Sequence, residues 1–159
     1  MFQTKPPKVK AKHIRECLKL VKRGDIILRG FDHYLDGKFI KGKYSHTGIV
    51  INKRTIAHAV AEGVIYIDIL DYIKDCDRFI IVRFPQLNIN KSIRFAKKAV
   101  KEKLEYDFLF SRESKKYLYC HEFGERFLNS GSIHVKTKES IIYGDDIINA
   151  GQIIYETHA

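Results

Sequence analysis

The chain has 159 residues, 45% of them hydrophobic and 30% charged, enough for one compact domain with a substantial core, and nothing in it suggests two. Its formal charge of +10 draws anionic partners without choosing among nucleic acid, acidic lipid and wall polymer. Three cysteines, Cys17, Cys76 and Cys120, are an odd number without CxxC spacing, which argues against a disulfide framework and for a reducing compartment.

The basic start, Met1 to Lys8, is followed by no apolar stretch, so it does not read as a secretory signal. No segment approaches the length of a membrane span either, and cytoplasmic residence is the expectation. Ile14, Cys17, Leu18 and Val21 recur at helical spacing and predict an amphipathic helix stopping at Gly24, with Lys12, Arg15, Lys19 and Lys22 on its polar face. Residues 1–23 thus read as a basic leader and helix, and residues 24–159 as one domain. Asp25 to Leu28 predicts a strand, and Gly30 to Lys43 a loop or irregular hairpin.

The next segment is strand-rich. Thr47 to Ile51, Thr55 to Ala59 and Val64 to Ile69, separated by turns at Asn52-Lys53-Arg54 and Gly63, predict an antiparallel meander. Leu70 to Asp75 reads as a short helix, and Arg78 to Phe84 as a buried strand ended by Pro85. Asn90 is the expected N-cap of a two-faced helix carrying Ile93, Ala96, Val100 and Leu104 opposite a run of lysines. A second helix is expected to begin at Cys120 and bury Phe123, Phe127 and Leu128. The tail predicts a helical turn at Gly144 to Ile148 and a strand at Gln152 to Glu156.

Two of these positions carry chemistry. Cys120 falls at a helix start, where the macrodipole and the unpaired N–H groups of the first turn favour a thiolate and provide half of an oxyanion hole. His46 falls at the start of a strand, a rigid platform for a general base. A thiol of ordinary pKa, about 8.5, is mostly protonated at neutral pH, so the pair needs both members. The bland readings are a buried cysteine and a histidine hydrogen-bonded at a strand end; the first suits Cys17 and Cys76 better than Cys120. Folding the chain back about residue 53 brings His46 within two residues of His58, which is then placed to orient it as the third member of a triad.

Gly24-Asp25-Ile26-Ile27, Ser45-His46-Thr47-Gly48-Ile49-Val50, Ile56-Ala57-His58-Ala59 with Gly63-Val64, Tyr106-Asp107 and Tyr119-Cys120-His121-Glu122-Phe123 follow one another in an order that resembles the permuted NlpC/P60 papain-like hydrolases. The resemblance is to the YiiX-like group, with lecithin retinol acyltransferase-like proteins more distant, and it spans residues 24 to 157. It implies an α+β, circularly permuted papain-like catalytic domain at 24–159, an antiparallel sheet with helices packed against it, and a cysteine hydrolase of amidase type. Carried over by position, it makes Cys120 the nucleophile, His46 the base and His58 the third polar residue, where many YiiX-like sequences place a glutamate. Glu62 is a nearby carboxylate, and the third role stays open between it and His58. The resemblance places Tyr106 and Asp107 beside the site, and Tyr44 and Tyr119 are candidates to line its cleft. His121 and Glu122 point away from the sulfur at their helical spacing.

No metal or organic cofactor is expected. A zinc site from His46, His58, Cys120 and His121 uses acceptable ligands but lacks close ligand spacing. A nucleic-acid module is the rival from another class, and the scatter of Lys and Arg over leader, helices and loops argues against it. A catalytically retired binding protein is a third reading, weakened by the retention of both Cys120 and His46. The expected partner is an acyl, amide or peptide substrate, with the basic surface suited to an anionic substrate or a membrane surface.

Overall fold

A computed structural model of the protein describes residues 6–32, 43–103, 119–138 and 142–157, with the backbone alone at Tyr119. The elements in chain order are α1 (Ala11–Leu20), β1 (Ile26–Gly30), β2 (His46–Asn52), β3 (Thr55–Val60), β4 (Gly63–Asp68), α2 (Ile69–Ile73), β5 (Arg78–Arg83), α3 (Ile89–Lys101), α4 (Tyr119–Ser130), α5 (Gly144–Asn149) and β6 (Gln152–Glu156). The strands form one six-stranded sheet in the order β4-β3-β2-β1-β5-β6. Every neighbouring pair is antiparallel.

Alternation along the strands buries both faces of this sheet. Ile26, Leu28, Ile49, Ile51, Ala57, Ile80 and Val82 face α3, α4 and α5, meeting Ile93 and Ala96, Phe123 and Phe127, and Ile147. The intervening residues Ile27, Val50, Ile56, Phe79 and Ile81 face α1 and α2 and pack with Cys17, Ile69, Tyr72 and Ile73. The result is a layer of sheet between two layers of helix, which is why the strands read as near-continuous apolar runs.

Asp25 holds the entry to the sheet. Its carboxylate, 1% exposed, accepts both Arg83 Nε and Arg83 Nη2 at 2.8 Å and the Lys22 N–H at 2.8 Å. Arg83 Nη2 also donates to the Leu20 carbonyl, so one ion pair ties the end of α1 to β1 and β5. The Gly-Asp of the sequence pattern is thus a structural clamp.

Two expectations need correction. Leu18 is 41% exposed, because α1 presents His13 and Cys17 to the core. The N-cap of α3 is Asn88, whose side chain accepts the Lys91 N–H at 3.2 Å, while Asn90 accepts from Arg23 instead. The described part of the helix toward the end of the chain starts at Tyr119, next to the expected Cys120. The predicted loop over 33–42 and the predicted helix position Leu104 lie outside the described residues. Among the described residues, no helix is long and apolar enough to cross a membrane.

Candidate active site

His46 is the first residue of β2 and stands opposite Arg29 of β1. In the β2–β3 ladder Gly48 pairs with His58, which puts His46 and His58 diagonally on one face of the sheet. Their rings meet directly, with Nε2 of His46 2.9 Å from Nδ1 of His58 and ring planes at 84°. His58 is 4% exposed. Glu62, the other candidate for the third role, is exposed in the turn between β3 and β4.

Sequence reasoning missed two neighbours of this pair, Tyr72 and Arg29. The Tyr72 ring, 1% exposed, lies 5.9 Å from that of His46 and 5.7 Å from that of His58, and its hydroxyl donates to the Ile27 carbonyl at 2.9 Å. Gly48 makes room for it: a Cβ there would meet Tyr72 Cζ at 2.7 Å and Ile56 Cγ2 at 2.6 Å. A glycine inside an otherwise β-branched strand was the available signal of a close approach.

Cys120 reaches the same strand from the other layer. Gly124, one turn along α4, lets the helix backbone settle on β2, since a Cβ there would meet Thr47 Cγ2 at 2.9 Å. Thr47 Oγ1 and His121 Nδ1 are 2.6 Å apart, which pins the first turn of α4 to the residue after His46. His121 is fully buried and Glu122 part-buried. The Cys120 sulfur donates to the Ser45 carbonyl at 3.4 Å, within about 6 Å of the His46 Cα by standard peptide dimensions.

The electrostatics depart from expectation. Burial pushes the Cys120 thiol, 2% exposed, up to about 12. The backbone N–H groups of Thr47, His121 and Cys120 itself and the Arg29 charge pull the other way without overcoming it. Burial, then Arg29, His58 and His121, hold His46 well below its usual 6.5. Both shifts favour a neutral thiol and a neutral imidazole, and desolvation opposes the expected thiolate preference of a helix start.

Of the other predicted positions, Tyr44 is buried and donates its hydroxyl to Glu156 of β6 at 2.9 Å. Tyr106, Asp107 and the Tyr119 side chain lie outside the described residues. Cys17 and Cys76 are fully buried and pushed up to about 12, chiefly by burial.

A family model covers nearly all of this arrangement. The model of the permuted papain-like amidase enzymes, YaeF/YiiX, C92 family, matches residues 20–156. The chain belongs to this family. Among solved structures, the metalloprotein yiiX from Escherichia coli O157:H7 is similar to this YaeF/YiiX-family chain, with 22% identity, a TM-score of 0.55, and coverage of 82% of this chain and 79% of that one. That likeness shows the fold, a permuted papain-like sheet with helices. No curated protein sequence matches the chain.

Proposed function

We propose that this YaeF/YiiX-family member is a cysteine amidase in which Cys120 attacks an acyl carbonyl with His46 as its base. The observation that carries the reading is the contact of the Cys120 sulfur with Ser45, one peptide from an imidazole whose far nitrogen is held by His58.

Because Nε2 of His46 faces His58, Nδ1 is the nitrogen left to take the thiol proton. That assignment puts the His46 proton on Nε2, donating to His58 Nδ1, and the His58 proton on Nε2, a buried atom with no partner among the described residues. From a neutral pair, the proton moves from Sγ to Nδ1 as sulfur bonds to the carbonyl carbon. The Cys120 backbone N–H faces the developing oxyanion. The imidazolium returns its proton to the leaving amine as the C–N bond breaks, and water then attacks the acyl-enzyme with His46 as base. An ester or thioester fits the same steps, with a different leaving group.

The yiiX neighbour is titled a metalloprotein. In this chain no group of three or more His, Cys, Asp or Glu among the described residues is placed to hold an ion. His46 and His58 turn their nitrogens to each other at 2.9 Å, closer than the roughly 3.3 Å between two ligands of a tetrahedral ion. As placed, these two nitrogens do not fit one ion, and the proposed steps use side chains alone.

Limiting iodoacetamide followed by peptide mass spectrometry tests the dyad. Preferential alkylation of Cys120 over Cys17 and Cys76, lost in His46→Ala, is the expected result. Equal alkylation of the three thiols, or labelling of Cys120 indifferent to His46, would contradict it.

A further inference from the structure

Three part-buried arginines project from the sheet, and two of them are neutralised. Arg83 pairs with Asp25, and Arg78 with Asp32. Arg29 has no carboxylate partner among the described residues. Its guanidinium is nevertheless held in place. Nη1 donates to the Tyr72 carbonyl at 2.6 Å, and Cζ lies 4.2 Å from the Tyr72 ring centroid and 5.2 Å from that of Phe31. Nε is buried without a hydrogen-bond partner among the described residues. A guanidinium partly withdrawn from water, with one donor unused and no counter-charge among the described residues, is costly unless an anion completes it.

Its position gives that charge a use. Arg29 faces His46 across the β1–β2 ladder, so the two side chains leave the same face. Ser45 links it to the sulfur: the Ser45 N–H donates to the Arg29 carbonyl at 3.0 Å, and the Ser45 carbonyl accepts from Cys120 at 3.4 Å. Among the described residues, the other groups around the His46 ring are His58 from β3 and Tyr72 from α2, with His121 of α4 also acting on its charge. None of them is a carboxylate. We infer that Arg29 is a specificity residue that receives a carboxylate of the acyl substrate beside the Cys120 sulfur. The inference rests on the reading of Cys120 as nucleophile and adds the substrate's charge to it. The planar fork of a guanidinium suits a carboxylate.

Iodoacetate and iodoacetamide test it on the full chain. In both, sulfur displaces iodide and forms one S–C bond, but only iodoacetate carries a carboxylate on the reacting carbon. The ratio of iodoacetate to iodoacetamide rates at Cys120 is expected to exceed that of glutathione by about tenfold, the effect of one nearby unpaired charge at partial burial. The preference should survive high salt, because a part-buried charge is weakly screened. Arg29→Gln should bring the ratio to that of glutathione, and Arg29→Lys should keep most of it.

A wild-type ratio equal to that of glutathione overturns the inference, as does a preference that vanishes at high salt and so belongs to the net charge of the whole chain. A ratio unchanged in Arg29→Gln overturns it too. The wild-type ratio and its salt response need no variant, so the test holds even where Arg29→Gln fails to fold. In each of these failures His46-dependent labelling by iodoacetamide still supports the dyad, whereas loss of that labelling overturns both readings.

Discussion

Burial and helix-end hydrogen bonding pull the Cys120 thiol in opposite directions, and burial wins, leaving it near 12 while His46 stays neutral far below 6.5. In the proposed dyad the proton therefore moves during attack, with no stored thiolate. The Cys120 alkylation rate with iodoacetamide should accordingly climb across roughly pH 6 to 10 with no plateau below neutrality; a plateau there would reveal a preformed ion pair. His46→Ala should lower amide hydrolysis by about a thousandfold, within the range of a lost general base. In the proposed mechanism His58 positions His46 through their 2.9 Å contact. Replacing it by glutamate supplies a carboxylate that stabilises the His46 imidazolium. His58→Glu should therefore retain activity while moving the acid limb of the kcat/KM profile to higher pH. A profile that does not move would mean that His58 does not face the working imidazole.

At the scale of elements, the site depends on how closely α2 and α4 lie on β2. Gly48→Ala drives a methyl into Tyr72 and Ile56 and should cost about 1–3 kcal/mol in urea unfolding, with a loss of activity larger than its loss of stability. Asp25→Ala strands Arg83 and opens the joint between α1, β1 and β5; about 3 kcal/mol is expected, and a loss under 1 kcal/mol would deny the clamp. Much of this framework is legible in the sequence. Alternation and the Asn52-Lys53-Arg54 turn set β2 and β3 in a register that brings His46 diagonal to His58, as the Gly48–His58 pairing shows. What was not legible came from contacts between distant segments. Asn88 caps α3 in place of Asn90 because its N–H also meets the Gly131 carbonyl at the end of α4. Tyr72 and Arg29 join the site only once α2 folds across β1 and β2, a placement that no local pattern encodes.

For the whole molecule, a sheet buried on both faces keeps the histidines on it and packed against it neutral, and that links stability to pH. His58 and His121 are held at about 4, against 6.5 when unfolded, chiefly by burial. Between these values the unfolded chain binds more protons than the folded one, so stability falls as pH drops from 6.5 to 4 and loses no more from these groups below 4. The fully buried His121 should contribute on the order of 3 kcal/mol to that fall, and His121→Leu should flatten the slope of urea midpoint against pH. The Cys120 sulfur meets the Ser45 carbonyl beside the strand end that carries His46, and the proposed function requires a covalent acyl-enzyme to form there. The most direct test is to mix the protein with an activated acyl ester, quench in acid and locate the acyl group by peptide mass spectrometry. A thioester on Cys120 in the wild type, absent in Cys120→Ala and slow to form in His46→Ala, is the predicted result; acylation confined to lysines, or none at all, would contradict it.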